Sequence, residues 1–149
     1  MAIIDTTKKP FIKDDNTNVK IGIDLPIQLA VSGSDGYFRS TSTTIESIKN
    51  NIENLLKTQK GERLMHPTLG LNLKKYLFEQ FTNDIKDDIT SEILNTFQFW
   101  LPFVNIVNLT VDMDKSNDGV GKNKMNIIVD FNITKDPNSL ESVQVEIGE

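Results

Sequence analysis

Apolar residues recur at helical spacing through the middle of the chain and at strand spacing through its last third. Ile45, Ile48, Ile52, Leu55 and Leu56 fall three and four positions apart, which predicts an amphipathic helix beginning near residue 44. Thr43 and Glu46 fit a capping box, in which hydroxyl and carboxylate satisfy free backbone donors of the first turn. Gly61 is the predicted helix end, because glycine adopts the left-handed terminating conformation without a Cβ penalty. The polar loop GERLMHP follows, Gly70 closes it, and Leu71, Leu73, Leu77 and Phe78 restart an apolar helical pattern. A further helix is expected over 82–97, with Ile85, Ile89, Ile93, Leu94 and Phe97 inward and Asp84, Lys86, Asp87, Asp88 and Glu92 on the solvated side. Phe97, Phe99, Trp100, Leu101 and Phe103, gathered around Pro102, read as an apolar plug closing the core in preference to an exposed docking site.

Beyond this cluster the period changes to two. Val107, Leu109, Val111 and Met113 alternate with polar residues, as do Met125, Ile127, Val129, Phe131 and Ile133, with the hairpin loop DKSNDGVGKN between them. Asp136, Pro137 and Asn138 form an expected turn, and Val143, Val145 and Ile147 a short last strand. Upstream, VKIGID suggests a short strand and SGSDGYF a turn. Residues 1–18 are polar with isolated Ile3, Ile4, Phe11 and Ile12; they read either as a mobile arm or as one that orders against a neighbouring subunit. The expected class is α+β: a small antiparallel sheet, the C-terminal meander, packed against about three helices, with an extended N-terminal arm. The arm occupies 1–18 and a single domain 19–149, its helical part at 41–101 and its meander at 104–147.

Composition narrows the chemistry. At 149 residues the chain is the size of one domain. A net charge of −5, with lysines interleaved among acids, argues against nucleic acid as a partner. With no cysteine and one histidine, neither a thiolate nor a multi-histidine metal site is available, and SNDGVG lacks the acidic series and terminal Glu of a calcium loop. No cofactor or metal is expected. No apolar run reaches the roughly 20 residues of a membrane span, and no signal-peptide core opens the chain, so a cytoplasmic product is expected unless it leaves within a particle. His66 is tied by no motif to a nucleophile or carboxylate, so no hydrolytic triad is expected.

Leu55, Leu56, Thr58, Gly61, Glu62, Arg63, Pro67, Leu69, Gly70, Leu77, Phe78 and Glu79 together form an ordered signature, LL-T-GER-P-LG-LFE. In this the chain resembles the baseplate wedge proteins of contractile-tailed phages, the sheath-initiator family, over roughly residues 22–81. Leu69, where an aromatic is more usual, is the visible departure. The resemblance implies a structural subunit of the inner wedge, assembled in the host cytoplasm and carried in the virion. It implies that Glu62, Arg63 and Pro67 dock the helical core bundle of the wedge, with the tube-proximal ring as a further contact; the alternative is an internal role, in which Arg63 caps the carbonyls of the first helix or pairs with Glu62 or Glu79. It also implies that the last strand accepts an added strand from tail sheath subunits, with Val143, Val145 and Ile147 supplying side-chain specificity. Related type VI secretion baseplate subunits are an alternative, which the longer arm and DGYFRSTSTT disfavour. A small cell-wall hydrolase is another, since some family members carry a lysozyme-like label. Glycoside hydrolysis needs two carboxyl groups across a cleft, one with a raised pKa. Most acids here sit on helical faces or in turns, and Glu62 beside Arg63 would stay ionised, so no catalytic residue is expected.

Overall fold

The computed structural model describes residues 19–30, 36–80, 82–114, 124–134 and 136–148. The N-terminal arm, most of the SGSDGYF turn and most of the DKSNDGVGKN loop lie outside the described residues. Two short strands, β1 (Gly22–Ile23) and β2 (Ser40–Thr41), pair antiparallel. Then come α1 (Thr44–Lys57), the single turn α2 (Leu73–Tyr76), α3 (Asn83–Trp100), and the strands β3 (Val104–Asp114), β4 (Lys124–Ile133) and β5 (Asp136–Gly148). The last three form an antiparallel sheet in sequence order, so β4 is central and β3 and β5 are its edges. α1 and α2 lie against β5 and α3 against β3, which sets the core between a helical layer and one face of the sheet. This is the expected α+β arrangement.

Capping fixes where the helices run. The Thr43 hydroxyl accepts the Glu46 amide at 3.3 Å and starts α1, whose Ile48, Ile52, Leu55 and Leu56 are buried. The helix ends at Lys57 rather than at Gly61. Both the amide and the hydroxyl of Thr58 donate to the Asn54 carbonyl, at 3.0 and 2.6 Å, and Thr58 itself is extended. Gly61 does take a positive φ of 89°, but in the turn beyond. Thr82 caps α3 by accepting the Ile85 amide at 3.4 Å. That helix continues through Trp100, past its expected end, and so splits the apolar plug. Phe97 and Leu101 turn inward and are buried, whereas Phe99 and Phe103 face solvent. Leu94 and Phe78, also expected inward, are exposed.

The strands carry two departures from simple alternation. β4 has none: Met125, Ile127, Val129, Phe131 and Ile133 are all buried, as expected. In β3 the register with β4 shifts between Ile106 and Asn108, leaving Val107 as an extra, exposed residue. Such a bulge reverses the phase of the strand, so Val104 and Ile106 face the core before it and Leu109, Val111 and Met113 after it. β5 is longer than expected. Asp136 pairs with Ile133, so the expected turn at Asp136 to Asn138 is the beginning of the strand. Pro137 is compatible with that place because β5 is an edge.

Candidate functional site

The loop joining α1 to α2 holds its shape through its own backbone. Leu71 N–H donates to the Thr58 carbonyl at 2.9 Å, and inside that neck Gly61 N–H donates to the Pro67 carbonyl at 2.8 Å. The amides of His66 and Leu69 donate to the carbonyls of Arg63 and His66 at 3.2 and 3.0 Å. Gly70, at φ 101°, lets the chain close against Thr58.

Glu62, Arg63 and Pro67 are all brought onto this one exposed loop. The Glu62 carboxylate accepts the Gln59 amide at 3.1 Å, and Arg63 Nη2 donates to Asn54 Oδ1 at 2.9 Å. Each charged group thus reaches back to the base of the loop while its side chain remains open to solvent. Between them and Pro67 stand Leu64 and Met65, 99% and 88% exposed. Sequence periodicity gave these two no role, although two large apolar residues in a non-periodic, charged loop were the available signal.

Val143, Val145 and Ile147 lie elsewhere, on the inner face of β5 beneath the helices, and are buried. Their side chains are committed to the domain's own core. Outward, β5 offers a main-chain edge that is unpaired among the described residues, with Ser142, Gln144 and Glu146 on the solvent face.

Beside the loop a cleft of about 650 Å³ opens between α2 and α3, lined among others by Lys60, Tyr76, Glu92, Phe99 and Trp100. Glu92, expected on the solvated side of α3, is its hub. Its side chain is 17% exposed, and its carboxylate accepts Lys60 Nζ at 3.1 Å, the Tyr76 hydroxyl at 3.1 Å and the Asn72 amide at 3.5 Å. Lys75 Nζ lies 3.8 Å away. Partial burial pushes the Glu92 carboxyl up, but the Lys60 bond and charge, the Tyr76 hydroxyl and the Asn72 amide outweigh it and hold the group below its usual range. Burial raises the Tyr76 hydroxyl; Lys75 opposes this and Glu92 adds to it, and the net direction is upward, so the group stays a donor at neutral pH. A carboxylate kept ionised in this way is a poor general acid, although it lines this cleft alongside Asp88. Among the described residues there is no group of three or more His, Asp or Glu able to hold a metal ion, and no helix long and apolar enough to cross a membrane.

Comparison with known proteins adds the following. A family model described as baseplate wedge protein gp25 matches residues 42–138. Curated protein sequences give no significant match. Among solved structures, a Geobacter sulfurreducens protein described as a tail lysozyme aligns with a TM-score of 0.55 and 17% identity, covering 81% of this chain and 96% of its own. A chain of the anti-feeding prophage baseplate aligns with a TM-score of 0.54 and 16% identity, covering 83% of this chain and 81% of its own. At such identities the two alignments speak to the fold.

Proposed function

Because the chain belongs to the baseplate wedge protein gp25 family, we propose that it is a structural subunit of a contractile-tail baseplate, built into the inner wedge of a phage particle and without catalytic activity. Its 58–71 loop docks the helical core bundle of the wedge. Glu62 and Arg63 make charge-assisted bonds to that bundle, Pro67 stiffens the loop, and Leu64 and Met65 supply apolar contact. The observation that carries this reading is a loop ordered by its own backbone whose Leu64 and Met65 are almost wholly exposed. Ordering before binding lowers the entropic cost of association. Large apolar side chains held in water are what a partner would cover.

The second contact is strand addition at β5, by which an extended segment of the first sheath ring joins the sheet and sheath assembly begins. Both edges carry an irregularity that blunts part of their length, β3 at Val107 and β5 between Asp136 and Glu141. β5 pairs in unbroken register from Glu141 to Gly148, a span without Lys or Pro. With Val143, Val145 and Ile147 buried, the added strand is held by main-chain bonds, and the selectivity expected of those three side chains passes to the outward-facing residues.

Arg63→Ala and Glu62→Ala test the docking. Each is expected to leave the domain folded by circular dichroism and to abolish wedge assembly, since truncating one member of a desolvated charge set costs ~2–5 kcal/mol of binding. Early melting with normal assembly would instead assign both residues to internal support.

A further inference from the structure

The backbone bonds of the 58–71 loop fix its shape but not how it stands on the body of the domain. Two of its side-chain bonds, Glu62 to the Gln59 amide and Arg63 to Asn54, return to the end of α1 and the base of the loop itself. Leu69 and Leu71 pack the loop's C-terminal end on the core, and two side-chain contacts of its polar residues, among the described residues, reach α3. One is the edge-on approach of the His66 ring to Trp100, with centroids 6.2 Å apart. The other is Lys60 to Glu92, among the described residues the one ion pair between loop and α3.

Glu92, Thr96 and Trp100 form a row at four-residue spacing along α3, and the Thr96 hydroxyl donates to the Glu92 carbonyl at 2.8 Å. The loop therefore meets α3 at both ends of a single row. Glu92 also takes the Tyr76 hydroxyl and the Asn72 amide, so one carboxylate gathers donors from the loop, from the residue before α2 and from α2. An isolated exposed ion pair fixes little. A largely buried acceptor with partners on three segments fixes their mutual position.

We infer that Glu92 is the positioning residue of the docking loop, setting through Lys60 the angle at which Glu62, Arg63, Leu64 and Met65 are presented. This rests on the loop being the docking surface.

Trp100 is the chain's single tryptophan, which makes its fluorescence a report on whether the loop lies on α3. Acrylamide quenching of the full chain is compared for wild type, Lys60→Ala, Glu92→Gln and the double variant. Glu92→Gln keeps one acceptor oxygen where the carboxylate offers two, to Tyr76 on one side and to Lys60 and Asn72 on the other, and loses the charge; Lys60→Ala is a surface change that spares the core. Both single variants are expected to raise the quenching constant, and the double variant to raise it no further, because the two remove one tie. Co-expressed with the other baseplate proteins of its tail cluster, each is expected to lower wedge assembly about ten- to a hundredfold, the scale on which a displacement of roughly 1 Å costs a positioned contact. Unchanged quenching in both single variants overturns the inference, as does raised quenching with normal assembly. Arg63→Ala separates this from the docking reading: it should keep wild-type quenching and lose assembly. Normal assembly of Arg63→Ala would remove the docking reading and this inference with it.

Discussion

Gly70 lies so close to Thr58 that a Cβ on the glycine would stand 2.2 Å from the Thr58 carbonyl oxygen. That same oxygen accepts Leu71 N–H and forms the neck of the loop. Gly70→Ala must therefore move backbone, on top of the strain of its positive φ. We expect a loss of about 2–4 kcal/mol. Gly61, at φ 89° but with open space around it, is the control and should lose only about 1 kcal/mol as Ala. Chemical denaturation of the two variants measures the difference; equal losses would mean that the close approach is unimportant.

Glu92 gives the protein an acid-sensitive contribution. Its carboxyl is held below its usual range in the folded state. The associated stability is thus fully present above the unfolded value, about pH 4, and is lost as pH falls through the folded value. Wild type should exceed Glu92→Gln by about 0.5–1 kcal/mol near neutrality, a figure that allows for screening at the half-exposed Lys60. The gap should close at lower pH. Melting curves between pH 2 and 7 read this directly, and a gap independent of pH would contradict it.

The split aromatic cluster separates two neighbouring phenylalanines. Phe97 is buried at 1% exposure, so Phe97→Ala should cost ~3–5 kcal/mol. Phe99 is 74% exposed and meets Trp100 edge-on. Phe99→Ala should change stability by no more than about 0.5 kcal/mol. Denaturant midpoints compared at equal slope test the pair.

A test of the β5 edge cannot use truncation, since removing 142–149 would also remove Val143, Val145 and Ile147 from the core. Gln144→Pro is preferable: its side chain is exposed, and the change deletes one backbone donor. The variant is expected to fold and to enter wedges, but to give baseplates bearing tubes without extended sheath. Fully sheathed tails in negative-stain micrographs would refute strand addition at this edge.

Strong periodicity made much of the fold legible. The face of α1 from Ile48 to Leu56 and the alternation from Met125 to Ile133 were readable because each element buries one face without interruption. Val107 defeated the pattern because a single inserted residue reverses a two-residue period and leaves no mark in composition. Glu92 was misread for a different reason. It stands at the margin of the apolar stripe of α3, where only tertiary neighbours decide between solvent and burial. Lys60 and Tyr76 are distant in sequence and supply that decision. That Glu62, Arg63 and Pro67 share one loop was visible, whereas the prominence of Leu64 and Met65 depends on how the loop closes.

The packing of α1 on β5, joined at its rim by Lys49 and Glu141 at 2.7 Å, bears on the order in which the chain acquires its shape. The pairings of the meander link sequence neighbours and form readily once their residues exist. α1 is synthesised well before its main strand partner, so on the ribosome Ile48, Ile52 and Leu55 have no sheet to cover them until the meander has emerged. A nascent chain stalled inside the meander would present a sticky amphipathic helix, a natural target for chaperones and proteases. Sheltering of that helix is thus a late event in the making of the chain.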